Sequence, residues 1–295
     1  MLKMGHCAPT VAKTLLDTKF RNKTDVLLLT GGMAGGIGNL GAECGALTSG
    51  LLFLGLAYGD KIQGNPLPEI FYRGNQYANA FKSKNLSLFC NKISGNGIIN
   101  GCMKAVATSP KLLIRQCSST SDHQLTKGEE AGYSLMLNHF KKNCFHCVHS
   151  VFKGLNGQIK FTKDCFSSSF GYLGGFLLNG MTCGALVAGV MAMGVHYNKM
   201  ENSYIRSGKM FRKFMNNDST AMDDSVNNFN YVINRGERFG KWFDTRFGST
   251  QCHELINTHF NSTEGSEKYI ADNSLKRCEE IVLSVIHELN ENYLV

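Results

Sequence analysis

The chain is written twice, and nothing else in it limits the fold so much. At an offset of 139 residues, "CGALTSGLLFLGLAY" from Cys44 lies over "CGALVAGVMAMGVHY" from Cys183. Cys-Gly-Ala-Leu is shared, then Gly50 falls on Gly189, Gly55 on Gly194 and Tyr58 on Tyr197. Upstream in the same register, Gly32, Gly35, Gly36 and Gly41 fall on Gly171, Gly174, Gly175 and Gly180. Self-similarity of this length predicts two copies of one structural unit.

The register extends outward with small slips. "HCAPTVAKTLL" pairs His6-Cys7 with His146-Cys147 of "HCVHSVFKGLN", and "FKSKNLSLFC" pairs Cys90 with Cys252 of "FDTRFGSTQC". More weakly, "NGCMKAVATSPKLL" pairs Cys102 with Cys278 of "KRCEEIVLSVIHEL". Each copy therefore carries four of the eleven cysteines, and Cys117, Cys144 and Cys165 have no counterpart. The expected boundaries are a first copy over 1–117, a polar linker over 118–130 and a second copy over 131–295. The second copy is longer between its last three cysteines, and its polar stretch "FMNNDSTAMDDS" is expected to be a surface insertion.

Apolar period points to helices. "CEEIVLSVIHEL" puts Cys278, Val282, Val285, Ile286 and Leu289 on one stripe, and few stretches alternate with period two. "AGYSLMLNHFKKNCFHCVHSVFKGL" reads as one helix broken at Gly154. Pro9 suits the first turn of a helix, and Pro110 is expected to interrupt the last helix of the first copy. Trp242, Phe243 and Phe247 are expected to anchor a helix in the core. The predicted fold class is mostly α: two tandem homologous helical bundles forming a pseudo-dimer.

Composition excludes several classes. A hydrophobic content of 43% supports a core rather than a disordered chain. The net charge of +8 comes from scattered basic residues with no patch interleaved with aromatics, so nucleic acid is not an expected partner. Val26–Gly59 and Phe170–Val195 are long enough to span a bilayer. Their density of glycine, with Asn179 and Thr182 in the second, favours buried helices instead. The opening "MLKMGHCAPTVAKTLL" shows no apolar leader, so a reducing, cytoplasmic setting is expected. There, metal ligation or redox chemistry outranks a disulfide framework.

The motifs narrow the chemistry. Gly36-x-Gly38-x-x-Gly41 follows "VLLLT" as a dinucleotide loop would, but "GGFLLNG" in the second copy lacks the middle glycine and no βαβ alternation follows. No nucleotide is expected. The close pair Cys144–Cys147 is not repeated, which argues against a zinc knuckle. Val148 stands where a c-type haem site needs histidine, so no such haem is expected. Around the paired cysteines the residues drift, Thr48-Ser49 becoming Val187-Ala188, while every cysteine keeps a counterpart. Core positions interchange freely when only volume matters. Retained sulfur therefore points to sulfur chemistry.

At these residues the sequence resembles the redox-active proteins named for their C_GCAxxG_C_C cysteine pattern. The likeness is carried by Cys7 and Cys147, by "GGIGNLGAECGALTSG" and "GGFLLNGMTCGALVAG", by "FGSTQCHEL" and by "RCEEIV". It implies a helical domain also found in split-Soret cytochromes, and a redox role without a named reaction.

Four thiolates from separate helices suit an iron–sulfur centre, [4Fe–4S] or related. The expected ligands are Cys7, Cys44, Cys90 and Cys102 in one copy, and Cys147, Cys183, Cys252 and Cys278 in the other. Gly45 and Gly184 would let backbone approach the sulfurs, and His6, His146 and His253 adjoin repeated cysteines as supporting or ligating candidates. The expected role is an electron carrier or oxidoreductase, meeting a redox partner protein or a small-molecule electron acceptor, with homodimerisation open. Two readings stand beside it: a metal-free thiol–disulfide relay, and a structural or membrane-associated helical module.

Overall fold

The computed structural model describes residues 4–21, 23–59, 67–118, 125–197, 203–216 and 218–295. Part of the expected linker, 119–124, lies outside them. The first copy forms α1 (Cys7–Thr18), α2 (Asp25–Leu29), α3 (Gly45–Tyr58), α4 (Glu69–Asn85), α5 (Cys90–Ser94) and α6 (Lys104–Ser118). The second forms α7 (Lys127–Lys142), α8 (Cys147–Gly154), α9 (Lys163–Ser169), α10 (Gly184–Tyr197), α11 (Tyr204–Met215), α12 (Asn228–Phe247), α13 (Cys252–Leu255), α14 (Thr263–Ala271) and α15 (Leu275–Glu288). Among the described residues there is no strand. Two isolated antiparallel bridges, Glu43 with Phe89 and Thr182 with Gln251, sit at equivalent places in the two copies. The mostly helical, tandem reading of the sequence is correct.

Local rules explain the elements. α3 and α10 are almost wholly apolar and lack a polar stripe, because most of their residues are buried on every side. They are 14 residues each, and among the described residues no helix is long and apolar enough to cross a membrane. α7 opens on a capping box, with Thr126 and Glu129 satisfying each other's backbone N–H groups. On α15, Val282 and Val285 are buried as the stripe predicts, as is Leu289 just past its end, while Leu283 faces solvent.

Three expectations change. The helix predicted through "KKNCFHC" is two helices: α7 stops at Lys142, Cys144 takes φ +50°, and α8 starts at Cys147. Pro110 does not interrupt α6, which runs through it from Lys104 to Ser118. A helix interior pays for proline with one missing N–H donor, and buried Val106 and Leu113 hold the segment in place. The extra length of the second copy is largely helical, as α11, a 3₁₀ turn over Ser219–Met222, and α14. Ala221 and Val226 are buried there, so the stretch is not wholly a surface loop.

The chain divides into two compact units. The first comprises Met1–Phe53, Tyr77–Ser118 and Val190–Gly240; the second comprises Leu54–Gln76, Ser119–Gly189 and Lys241–Val295. Each unit contains one complete four-cysteine set together with a hairpin drawn from the other copy. In the first unit α1 packs on α6, and in the second α8 packs on α15. Cys147 and Cys278 thereby sit on neighbouring helices, and Cys7 sits on the helix that packs against α6, which starts just after Cys102. The second unit also packs α7 on α14.

Candidate redox centre of four thiols

Each set is organised by a glycine turn of unusual hand. In the second copy Gly174, Gly175, Phe176, Leu177 and Leu178 all have φ between +52° and +70°, and in the first Gly35, Gly36, Ile37, Gly38 and Asn39 lie between +56° and +78°. A non-glycine residue in this region costs about 1–2 kcal/mol, so Phe176, Leu177 and Leu178 in one run, and Ile37 and Asn39 in the other, mark a shape the site requires. The turn is closed by matching bonds: Gly41 and Gly180 donate their N–H to the carbonyls of Gly35 and Gly174 at 2.9 and 3.1 Å. The apparent dinucleotide glycine Gly38 has a different duty, because a Cβ there would lie 2.6 Å from the carbonyl carbon of Gly236.

The turn and the helix starts aim N–H groups at sulfur. Cys44 and Cys183 directly precede α3 and α10. The Sγ of Cys44 accepts from the N–H of Ala46 and Leu47, and that of Cys183 from Ala185 and Leu186. These are the orphan donors of a helix N-terminus, taken up as by a capping residue. Cys7 and Cys147 open α1 and α8, and accept from the N–H of Gly35 and Gly174 in the two turns. Gly45 and Gly184 make this possible: a Cβ on Gly45 would lie 2.8 Å from Cys7 Sγ, and one on Gly184 would collide with Cys147 Sγ.

The third cysteine of each set is fixed by the bridges. Cys44 donates its N–H to the Leu88 carbonyl at 2.8 Å, and Cys90 donates to Ala42 at 2.6 Å. Cys183 to Thr250 at 2.8 Å and Cys252 to Met181 at 2.7 Å repeat the pattern. The turn glycines Gly36 and Gly175 face Cys90 and Cys252, where a Cβ would lie 2.7 and 2.9 Å from the cysteine Cβ.

In the second unit Cys147, Cys183, Cys252 and Cys278 line one cavity of about 20 Å³, walled by apolar residues including Phe140, Phe145 and Phe260. In the first unit Cys7, Cys90 and Cys102 line a cavity of about 440 Å³. Burial, and then the neighbouring thiols, push Cys7 up to about 11 and Cys90 up to about 12. Burial also raises Cys44, well above its ordinary value, and Cys102. In the second set burial raises all four, Cys278 to about 12. The thiols are therefore held neutral at physiological pH. The donors are soft and no charged side chain lines the second cavity, which fits a thiophilic metal centre. The volume there is that of about one water molecule, and among the described residues no group of three or more His, Cys, Asp or Glu is placed to hold a metal ion.

The neighbouring histidines have separate partners. His6 lines the first-unit cavity, its Nε2 2.7 Å from Asn230 Oδ1. His146 stacks on His149 at 3.7 Å between ring centres and lines a different cavity, with Cys144 and Lys153. His253 Nδ1 donates to the Gly180 carbonyl at 2.7 Å, bracing the turn. Of the cysteines with no counterpart in the other copy, Cys165 is buried and accepts from Thr162 Oγ1 at 3.4 Å, and Cys144 is exposed. One contact had no sequence signal: Tyr269 Oη donates to Cys278 Sγ at 3.3 Å.

The family model described as "Putative redox-active protein (C_GCAxxG_C_C)" matches residues 5–127 and again 145–292. The two matches cover most of the chain, one on each four-cysteine set. No curated protein and no solved structure matches the chain.

Proposed function

The chain belongs to the C_GCAxxG_C_C family, and on that premise we propose that each four-cysteine set is one redox centre, loaded as a cysteine-ligated iron–sulfur centre. The observation that carries the reading is the convergence of Cys147, Cys183, Cys252 and Cys278 on one apolar cavity. Cys7, Cys44, Cys90 and Cys102 would hold the other centre. Bound there, such a centre supplies one-electron transfer.

The chain's own groups supply the rest. Backbone N–H groups of the turns and helix starts would favour the thiolate form of Cys7, Cys44, Cys147 and Cys183 once a metal neutralises it, opposing the effect of burial. Such donors set the potential of cysteine-ligated iron. Phe140, Phe145 and Phe260 exclude water from the second set. Cys147, Cys183, Cys252 and Cys278 would hold the centre as thiolates, so its loading would release their protons and would be coupled to local rearrangement and to pH. The protein then serves as an electron carrier or reduces a small partner.

A metal-free relay fits the thiols less well. Redox-active thiols work with lowered pKa values, whereas burial raises all eight here. Iron and acid-labile sulfide analysis after anaerobic purification tests the proposal. Stoichiometric iron, partly lost in Cys44→Ser and partly in Cys183→Ser, is expected. Iron-free protein whose repeated cysteines titrate as disulfide pairs would replace it with the relay.

A further inference from the structure

The two thiol sets are not equally enclosed. The second faces phenylalanine rings that leave about 20 Å³, whereas Cys7, Cys90 and Cys102 of the first, without Cys44, face a cavity of about 440 Å³. That cavity is also lined by Phe211 and Phe214 on α11 and by Met222 in the turn after it. These belong to the insertion: the second copy has residues 198–227 between α10 and α12, where the first has only 59–68 between α3 and α4. α11 is seated firmly on the first unit. Ser207 and Met210 are buried, and a Cβ on Gly5 would lie 2.9 Å from Met210 Cε. This part of the lining is thus an added element fitted to the first thiol set.

The lining defines what it can take. No carboxylate, lysine or arginine is among the cavity residues. The polar groups are the His6 ring, whose Nε2 meets Asn230, the Asn39 amide, which donates to Glu237 Oε2 at 2.9 Å, and Asn91 and Ser94 near the two ends of α5. Two rings, a thioether and thiols favour aromatic faces. The volume falls in the range of about 300–1,000 Å³ usual for small-molecule sites. The geometry points to a binding site for a neutral, planar aromatic molecule of one or two rings, held between the α11 rings and Cys7, Cys90 and Cys102. The redox reading bears only on what such a molecule meets there, and binding is measured without it.

Calorimetry with 1-naphthol on the reduced full-length protein tests this, with 1-naphthalenesulfonate as the charged twin and iron assayed separately on the same sample. Saturable 1-naphthol binding is expected, weakened about tenfold or more in Phe214→Ala, the loss of roughly 1.4 kcal/mol of contact. Ser94→Trp, an exposed position at the cavity, is expected to block binding while far-UV circular dichroism stays unchanged. Absent binding, equal binding by both variants, or equal binding of the sulfonate would overturn the inference. So would loss of 1-naphthol binding in step with iron loading, which would assign the space to the metal centre. Protein that carries no iron after anaerobic purification yet binds 1-naphthol would instead sink the iron–sulfur reading and leave this site standing.

Discussion

The hydroxyl of Tyr269 donates to the sulfur of Cys278 at 3.3 Å, from a ring buried against Phe140 and Phe260. The donor sits on α14, for which the first copy has no room between Cys90 and Cys102. It therefore distinguishes the second thiol set from the first. Tyr269→Phe keeps the ring and removes one hydrogen bond. It is expected to cost about 1 kcal/mol in urea unfolding. In the loaded protein it should lower the potential of one of two centres, since hydrogen bonds to sulfur tune cluster potential. Potentiometric titration reads this, and a shift of both centres together would contradict it.

Glycines beside sulfur should be intolerant and glycines elsewhere should not. Gly184→Ala and Gly45→Ala place a methyl against Cys147 Sγ and Cys7 Sγ. Each is expected to cost about 1–3 kcal/mol by overpacking. Gly208, on α11, has nothing near its added Cβ. Gly208→Ala is expected to stabilise by about 0.5–1 kcal/mol through helix propensity. Urea midpoints of the three variants make the comparison.

Gly38 carries two independent demands: φ of +65° and the backbone of Gly236 at 2.6 Å from its would-be Cβ. Gly38→Ala is expected to destabilise by about 2 kcal/mol or more, about 1 of it from the left-handed backbone alone. A dinucleotide-loop role predicts instead a loss of nucleotide binding with stability intact. Thermal unfolding with and without NAD separates the two.

Alkylation should follow burial. Cys144 is exposed, while Cys44, Cys147, Cys183 and Cys252 are buried. With limited iodoacetamide on the native, metal-free protein, mass spectrometry is expected to find Cys144 modified first and those four only after denaturation. Early labelling of Cys183 would show that the second cavity is open in solution.

Much of the site was legible because the chain states it twice. The Cys44–Cys183 and Cys90–Cys252 pairings could be read from shared neighbours, and the same backbone bonds hold each pair. Gly45 and Gly184 could be singled out as space for sulfur, and the structure puts Cys7 and Cys147 in that space. The five-residue left-handed turn was hidden, since Phe176, Leu177 and Leu178 have no local preference for it and are held there by burial. The break at Cys144 was also hidden, because the apolar period continues through it. α6 survives Pro110 because tertiary packing outweighs local propensity. Nor does local sequence show that Val190–Gly240 joins the first unit, since that depends on contacts far apart in the chain.

The central claim is that the thiol sets are metal centres, and low-temperature electron paramagnetic resonance of the anaerobically purified, dithionite-reduced protein tests it most directly. The account predicts an iron–sulfur signal that loses one component in Cys183→Ser and the other in Cys44→Ser. A silent spectrum from protein without iron, unchanged by either substitution, would contradict it.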